Sequence, residues 1–434
     1  MEPRKKWRRN LQLITFGITC NLLVGAQTPE FGVHWGNAAK GTPPQAFNTV
    51  LATLDSDTVR WVRCEIPWNE IHVAPGTFLW YQIESNIREL VDSGFNVIAD
   101  LKSTPSWYTT NNTGDPLLDP YFAPQDTLEW VIFVDSVTTR LKDKVKHWEI
   151  WSEPDGGGFR TTTPLQKHRK YRDLLASAYV HIKALDPAAE VLVGGFTTNL
   201  MSDPMRRLFL DSLFAVSFQD YFDIMNIHAY ENIFELKTLV DTMESKGIGE
   251  DPIWITETNP WRELVPENSE AGTAAFLCGW IKDSLISGFD PQVICWFNLR
   301  NFVSTNPPQI CDTCDPNLTA YGLLTSEYLP TLVLPAYYAC YSELLTRGEI
   351  PIEKEPLSLY PNPGSEVIFL LSSIPGKHHI AVFDCSGRIR REYNPANVQG
   401  TPFALAVSDL PAGIYIVKIA SADRNVVKRI LVFH

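Results

Sequence analysis

The sequence HWEIWSEP at residues 147–154 is rich in aromatic and β-branched residues and ends in a carboxylate, Glu153, followed by a proline. Short runs of this composition are typical of a buried strand. A second stretch, IWITET at residues 253–258, has the same organisation and carries Glu257 near its end. The two stretches predict two strands, each with a glutamate at the point where the strand ends.

Six further runs of this kind occur along the chain, and longer segments with helical periodicity separate them. Such alternation is typical of a parallel sheet with crossover helices, and eight units favour a closed (β/α)8 barrel over an open sheet. We therefore predict a TIM barrel over residues 27–345. The predicted strands are Phe31–Trp35, Val59–Glu65, Asn96–Leu101, His147–Trp151, Glu190–Gly194, Phe222–His228, Pro252–Thr256 and Gln292–Phe297. The predicted helices are Gln45–Leu54, Tyr81–Ser93, Thr127–Lys142, Lys167–Leu185, Pro204–Phe214, Ile233–Ser245, Glu270–Ile286 and Leu334–Leu345.

The composition and the predicted secondary structure change near the end of the chain. Residues 346–356 are polar and contain proline, which predicts a linker. Residues 357–434 contain only short strand-like runs between Pro-Gly, Ser-Gly and Ala-Gly turns, with eight basic and five acidic residues. This pattern predicts a separate, small C-terminal β-sandwich.

The first 26 residues have the features of a signal peptide. A basic segment precedes the apolar run Leu11–Leu23, and cleavage is expected after Ala26. No other stretch has the roughly 20 apolar residues of a membrane helix. The net charge is −13, or −17 without the signal, and a chain this acidic is not expected to bind nucleic acid. The protein is therefore predicted to be secreted or held at the cell surface.

Seven cysteines remain after signal removal, so at least one thiol stays free. Cys311 and Cys314 are separated by two residues, but the second pair that a zinc site requires is lacking. A local disulfide and two ordinary thiols both fit this spacing. The sequence predicts neither a metal nor a cofactor.

The two glutamates are candidates for acid/base and nucleophilic chemistry. Functional groups of a (β/α)8 barrel project from the carboxyl ends of its strands, and the fourth and seventh strands face each other. Retaining glycosidases place two carboxyl groups about 5 Å apart, one to attack the anomeric carbon and one to protonate the leaving oxygen. Glu153 and Glu257 stand where that arrangement would form.

At these positions the sequence resembles a known clan. Trp-x-Glu-Pro at residues 151–154 and Ile-Thr-Glu at residues 255–257 are similar to the motifs of the retaining (β/α)8 glycoside hydrolases, nearest the β-xylosidase and α-L-iduronidase branch. The resemblance covers about residues 28–345. It implies that Glu257 is the nucleophile and that Glu153 is the general acid/base, with a pKa raised by an apolar wall such as Trp151 or Trp107.

The resemblance also implies a set of substrate-binding residues. Arg63 and Tyr230 would keep Glu257 ionised, and Trp296 would form the floor beneath the sugar of the −1 subsite. Each has a structural alternative: Arg63 as an ion-pair partner of Glu149 or Glu65, Tyr230 as a satisfied core polar group, and Trp296 as a packing residue. His228 has the same alternative as Tyr230, and Trp107 the same alternative as Trp296, while Glu149 is expected to be a structural carboxylate. The full predicted set of substrate-binding residues is His34, Arg63, Trp107, Ser152, His228, Tyr230 and Trp296.

Ser152 departs from the pattern, because the resemblance implies asparagine before the acid/base. That asparagine would bind the 2-hydroxyl of the −1 sugar, a contact that strengthens in the transition state. A bridging water, an altered −1 sugar and weakened catalysis are three explanations. Our hypothesis is the altered −1 sugar.

The C-terminal region resembles the sorting domain of the type IX secretion system. The resemblance rests on Leu-Tyr-Pro-Asn-Pro at residues 359–363, the turn at residues 382–387 and Leu-Pro-Ala-Gly-Ile-Tyr at residues 410–415. It implies that the secretion machinery is a partner of the chain. An accessory sandwich that binds sugar, or nothing, is the alternative.

Three functions remain to be compared. A carbohydrate-cleaving enzyme requires both glutamates and their supporting polar groups, and the sequence has all of them. A binding barrel that kept the cleft and lost turnover is the alternative. A barrel enzyme that uses metal or phosphate would need a ligand cluster or a phosphate loop, and Gly156–Gly158 lacks the spacing of such a loop.

Overall fold

The barrel is formed by eight parallel strands in the computed structural model. The model describes residues 28–36, 38, 42–111, 113–197, 203–230, 233–246, 252–259, 269–286, 289–301, 322–346, 357–360, 367–372, 379–384, 388–394, 403–420 and 425–432. The barrel strands are β1 (Glu30–His34), β2 (Val59–Pro67), β3 (Asn96–Lys102), β4 (His147–Ile150), β5 (Glu190–Val193), β6 (Met225–Ala229), β7 (Ile253–Thr258) and β8 (Val293–Trp296).

The strands are arranged in the order of a closed barrel. Each strand pairs with its neighbours along the chain, and β1 pairs with both β2 and β8. Parallel bridges from Leu192 to Ile224 and from Phe196 to Ile227 join β5 to β6 and close the ring. The predicted (β/α)8 fold and its eight strands are confirmed.

Helices cover the outside of the barrel. They are α1 (Pro44–Thr53), α2 (Tyr81–Asp92), α3 (Leu128–Leu141), α4 (Lys167–Leu185), α5 (Pro204–Ala215), α6 (Ile233–Ser245), α7 (Glu270–Gly279) and α8 (Val333–Thr346). All eight agree with the prediction to within a few residues, although the predicted helix from Glu270 to Ile286 changes to π-helix at Trp280. Apolar residues at helical spacing explain this agreement, because each such helix buries one face against the barrel.

The interior of the barrel has three layers. The lowest layer is apolar, and above it lies a fully buried charged layer of Arg63, Asp100 and Glu149. Successive inward side chains of a strand are two residues apart, so the next inward positions lie at the carboxyl-terminal mouth. The apolar layer contains Trp61, Ile98, Leu192, Ile224, Trp254, Val293 and Cys295. We use the term mouth residues for His34, Glu65, Lys102, Glu153, His228, Glu257 and Phe297.

The C-terminal region forms two antiparallel sheets. Strands β9 (Leu357–Tyr360), β10 (Val367–Ser372) and β13 (Phe403–Ala406) form one, and β11 (His379–Asp384), β12 (Ile389–Tyr393), β14 (Gly413–Ala420) and β15 (Asn425–Val432) form the other. Ile368 and Leu405 of the first sheet share a buried cluster with Val382 and Val417 of the second. The two sheets therefore bury one common apolar core.

One disulfide joins two of the outer helices. Cys278 of α7 is bonded to Cys340 of α8, with 5.2 Å between their Cα atoms. Cys64 and Cys295 are buried free thiols. The signal peptide, residues 347–356 of the linker, and Cys311, Cys314 and Cys385 lie outside the described residues. No described helix has the length and apolar character needed to cross a membrane.

Candidate active site

Glu257 reaches the mouth because β7 contains one extra residue. Ile255 pairs with Ile227 of β6, but the next β6 residue, His228, pairs with Glu257. The register with β8 shifts over the same part of the strand. An extra residue of this kind turns the following side chain toward the other face of a strand. Glu257 consequently points into the barrel, beside His228.

Four polar groups surround the Glu257 carboxylate. Arg63 Nη1 donates to Oε1 at 2.7 Å, and the Tyr230 hydroxyl donates to Oε2. Nδ1 of His228 lies 3.5 Å from Oε2, and Nδ1 of His34 lies 3.9 Å from Oε1. Burial raises the pKa of Glu257, but His228 and Arg63 outweigh it and hold the pKa below its usual value. Glu257 is thus an ionised carboxylate near neutral pH.

Glu153 is placed by an irregular turn after β4. Trp151 and Glu153 both adopt left-handed backbone conformations, with φ of 66° and 48°. The Trp151 indole donates to the Gly158 carbonyl at 2.6 Å and fixes the turn. A Cβ on Gly158 would lie 2.4 Å from the carbonyl oxygen of Ser152, so this close approach requires glycine. The turn leaves the Glu153 side chain 35% exposed at the mouth.

His228 lies between the two glutamates. Its Nδ1 is 3.1 Å from Glu153 Oε1, and one ligand atom from each of Glu153, His228 and Glu257 lies within 4.8 Å of the other two. A Cβ on Gly195 would approach the His228 ring to 2.2 Å, so glycine is needed there to leave room for the imidazole. One carboxylate oxygen of each glutamate therefore lies within 4.8 Å of the other.

The expected rise in the pKa of Glu153 is not found. Burial raises this pKa, but the hydrogen bond and the charge of His228 lower it further, and the net pKa is below the usual value. Trp151 is buried in the core and Trp107 packs against His72. The prediction was wrong because sequence could not place His228 against Glu153.

Arg63 is both a partner of Glu257 and part of a buried ion network. Its Nε and Nη2 bind the two oxygens of Glu149 at 2.6 and 2.8 Å, and Nη2 lies 3.1 Å from Asp100. Burial raises the pKa of Asp100 to about 7, more than Arg63 lowers it. Burial also lowers the pKa of His34 to about 3, so that neutral His34 accepts from Arg63 Nη1 at 2.8 Å. Of the two predicted partners of Arg63, Glu149 is the one it contacts.

The remaining predicted residues divide into two groups. Ser152 Oγ is 3.4 Å from Arg63 Nη2, next to the glutamates. Trp107 lies against His72, and Trp296 is fully enclosed and packs against Tyr337. Phe297, which the sequence analysis missed, is the partly exposed ring that contacts both His34 and Tyr230, with centroids 5.0 and 5.9 Å apart.

Glu65 and Lys102 form a pair that was not predicted from the sequence. Lys102 Nζ lies 2.6 Å from Glu65 Oε1 at the mouth. Strand alternation was the available signal, because each is two residues beyond a buried charged residue of the same strand, Arg63 or Asp100. As for metals, Glu153, His228 and Glu257 form a group that could hold an ion by distance alone.

Comparison with known families identifies two parts of the chain. Residues 124–302 match the family described as glycosyl hydrolase catalytic core, and residues 358–433 match the secretion system C-terminal sorting domain. Comparison with curated proteins gives no match. The barrel is a glycosidase barrel, and the chain is an enzyme. Its sorting domain indicates type IX secretion to the cell surface or the extracellular space.

Solved structures share the fold. A GH39 β-xylosidase from Caulobacter crescentus is 14% identical, with a TM-score of 0.57 over 88% of this chain and 94% of that one. The GH39 enzyme from Xanthomonas axonopodis pv. citri is 12% identical, with a TM-score of 0.54 over 93% and 92% of the two chains. GH5_18 from Streptomyces cattleya, in complex with GlcNAc, is 16% identical, with a TM-score of 0.55 over 75% and 83%.

Proposed function

We propose that this glycosidase cleaves O-glycosidic bonds of a poly- or oligosaccharide outside the cell by double displacement, with retention of anomeric configuration. The observation that carries the proposal is the spacing of Glu153 and Glu257, because one carboxylate oxygen of each lies within 4.8 Å of the other. This approach is closer than the separation of roughly 6.5–9.5 Å by which inverting enzymes admit a water, and it favours the retaining arrangement.

The contacts divide the two roles. Glu257 is buried and bound by Arg63 and Tyr230, which suits a carboxylate that attacks the anomeric carbon. Glu153 is more exposed than Glu257. Among the residues that the structure describes, His228 is the charged partner within 4 Å of its carboxylate. The reaction starts from the protonated form of Glu153, which the lowered pKa makes the minor form near neutral pH in the free protein. As the glycosidic bond breaks, Glu153 gives its proton to the leaving oxygen and Glu257 forms an ester with the sugar. Glu153 then takes a proton from the water that attacks the anomeric carbon, and Glu257 is released.

The proposal is tested by the configuration of the first product and by covalent labelling of the nucleophile. A panel of 4-nitrophenyl glycosides of xylose, glucose, mannose, galactose and arabinose first identifies a substrate, and proton NMR then shows which anomer forms first. We expect the anomer of the substrate, and a 2-deoxy-2-fluoro analogue with a good leaving group should label Glu257. Formation of the opposite anomer would refute double displacement.

Two variants separate the roles of the carboxylates. Glu257→Gln should remove turnover. Glu153→Gln should lose least kcat/KM on substrates with good leaving groups, because their departure needs no proton, while kcat falls because the second step lacks its base. Added azide, which needs no base, should restore turnover and give a glycosyl azide of retained configuration. Glu84→Gln, which changes an exposed partner of Arg140, is the matched control and should leave the rate unchanged. A wild-type protein that binds sugar without turnover would instead favour a carbohydrate-binding barrel.

A further inference from the structure

The carboxyl ends of β2 and β3 carry an ion pair that the roles assigned so far do not use. Lys102 Nζ lies 2.6 Å from Glu65 Oε1 and 3.7 Å from Asp100 Oδ2. The Lys102 side chain is 16% exposed and the Glu65 side chain is 33% exposed. Both groups therefore present polar atoms to the cleft while each neutralises the other.

The pair belongs to the same layer as the catalytic groups. Glu65 and Lys102 follow the buried Arg63 and Asp100 by two residues, so all four point into the barrel. Gly36, just after β1, faces Glu65, and a Cβ on this glycine would lie 3.4 Å from the Glu65 carboxyl carbon. The pair thus forms the wall of the mouth on the side of β2 and β3, opposite Glu257 on β7.

Lys102 ends β3 and Ser152 follows β4, and these two strands are adjacent. The Trp151 amide donates to the carbonyl of Leu101 at 2.9 Å, which brings the residues after β3 and β4 side by side. Arg63 Nη2 lies 3.4 Å from Ser152 Oγ and 3.1 Å from Asp100 Oδ2. Asp100 is in turn the second partner of Lys102.

Few donors in this part of the mouth are available to a sugar. Arg63 is fully buried and its nitrogens are occupied by Glu149, Asp100 and Glu257. Ser152 has one short hydroxyl. Lys102 is the mouth residue with a permanent positive charge, and its flexible ammonium carries three donors, of which Glu65 takes one.

We propose that the Glu65–Lys102 pair binds two adjacent hydroxyls of the −1 sugar, with Lys102 donating to the C2 hydroxyl and Glu65 accepting from the C3 hydroxyl. This inference rests on the proposed function. The anomeric carbon lies between Glu153 after β4 and Glu257 on β7. C2 is bonded to the anomeric carbon. Because β3 adjoins β4 and β2 does not, we assign Lys102 to C2 and Glu65 to C3.

The assignment makes the pair a determinant of specificity. A hydrogen bond to the C2 hydroxyl strengthens as the transition state forms. In this assignment the Lys102 ammonium makes the contact with the C2 hydroxyl that the short Ser152 side chain does not. The substrate class is a glycoside whose −1 sugar carries free hydroxyls at both C2 and C3.

The test compares matched 4-nitrophenyl glycosides with a hydroxyl or a hydrogen at C2. Lys102→Met should lower kcat/KM about 10- to 100-fold on the 2-hydroxy substrate, the range for a hydrogen bond to a charged group, and by no more than about threefold on the 2-deoxy substrate. Adding Ser152→Asn to Lys102→Met should restore activity on the 2-hydroxy substrate. Glu65→Gln should lower kcat/KM on a substrate with a hydroxyl at C3 and should have little effect on the matched 3-deoxy substrate.

Two control variants and the wild-type protein separate an effect on sugar binding from an effect on folding and from a failure of the proposed function. Lys144 lies just before β4, at the end of the barrel opposite the mouth, and forms an ion pair with Asp92. Lys144→Met breaks this pair and should change the rate on neither substrate. Glu65→Gln combined with Lys102→Met keeps the wall neutral and should show the same 2-hydroxy defect in a folded protein. Equal losses on 2-hydroxy and 2-deoxy substrates in Lys102→Met would overturn the inference alone. A wild type inactive on every glycoside would overturn the proposed function and the inference with it.

Discussion

Removing the charge of Arg63 should destabilise the barrel strongly and in a pH-dependent way. Its side chain is fully buried and faces Glu149, Asp100 and Glu257 at 2.6–3.1 Å. Breaking a buried ion pair by removing one partner costs about 3–5 kcal/mol, because the remaining charge has no compensation. Arg63→Met leaves three such carboxylates, so we expect a loss at the upper end of that range near neutral pH.

The pH dependence has a definite sign. Burial already raises the pKa of Asp100 in the folded protein to about 7, above its unfolded value, and removal of the Arg63 charge, which lowers this pKa, raises it further. Groups with raised folded pKa values bind protons on folding, so they favour the folded state at low pH, and this contribution is lost as pH rises through the folded values. The difference between Arg63→Met and wild type should therefore be small near about pH 5 and largest near about pH 8.

Thermal and guanidinium unfolding, followed by circular dichroism at both pH values, measures this difference. Arg88→Met is the control, because Arg88 forms an exposed pair with Asp143 at 2.7 Å, and such pairs contribute about 1 kcal/mol or less. A loss below about 1 kcal/mol near about pH 8 in Arg63→Met, or an equal loss at both pH values, would contradict the assigned network.

Three further predictions follow. His228→Asn should move both limbs of the pH profile of kcat/KM to higher pH, because His228 lowers the pKa of both glutamates; an unshifted acidic limb would contradict this. Replacing Cys278 and Cys340 by alanine should lower the free energy of unfolding by about 4 kcal/mol for a 62-residue separation, measured by guanidinium unfolding, and reductant should no longer affect stability. Deleting residues 357–434 should keep activity on soluble substrates while abolishing display or release outside the cell, measured by cell fractionation; a folded but inactive truncation would assign those residues to the active site.

The barrel could be predicted because its signal is local. Each strand is a short β-branched or aromatic run, and each helix repeats apolar residues at helical spacing, so the sequence indicates the elements without tertiary information. The turn at Glu153 and the strand end at Glu257 follow from the same pattern. The extra residue in β7 that turns Glu257 inward leaves no such signal, because a bulge is defined only by what the neighbouring strands pair with.

Contacts between distant segments could not be predicted. The position of His228 against Glu153 depends on a glycine at residue 195, and the pairing of Cys278 with Cys340 depends on two helices packing together. Glu65 and Lys102 are ordinary charged residues in the sequence and become a pair only when β2 and β3 are neighbours. In each case the chemistry depends on distances across the fold, whereas the sequence pattern reports on one segment at a time.

The apolar layer beneath the charged residues makes the active site open at one end only. Trp61, Ile98, Leu192, Ile224 and Trp254 close the lower end of the barrel, and none is more than 5% exposed. No continuous hydrated route passes through such a layer, so sugar, water and protons share the upper opening. In the double displacement that we propose, the departing half of the substrate must clear this opening before the second-step water can reach the anomeric carbon. Groups that line the exit beside Glu153 consequently influence how long the covalent intermediate survives, and hence how often an alcohol replaces water as its acceptor.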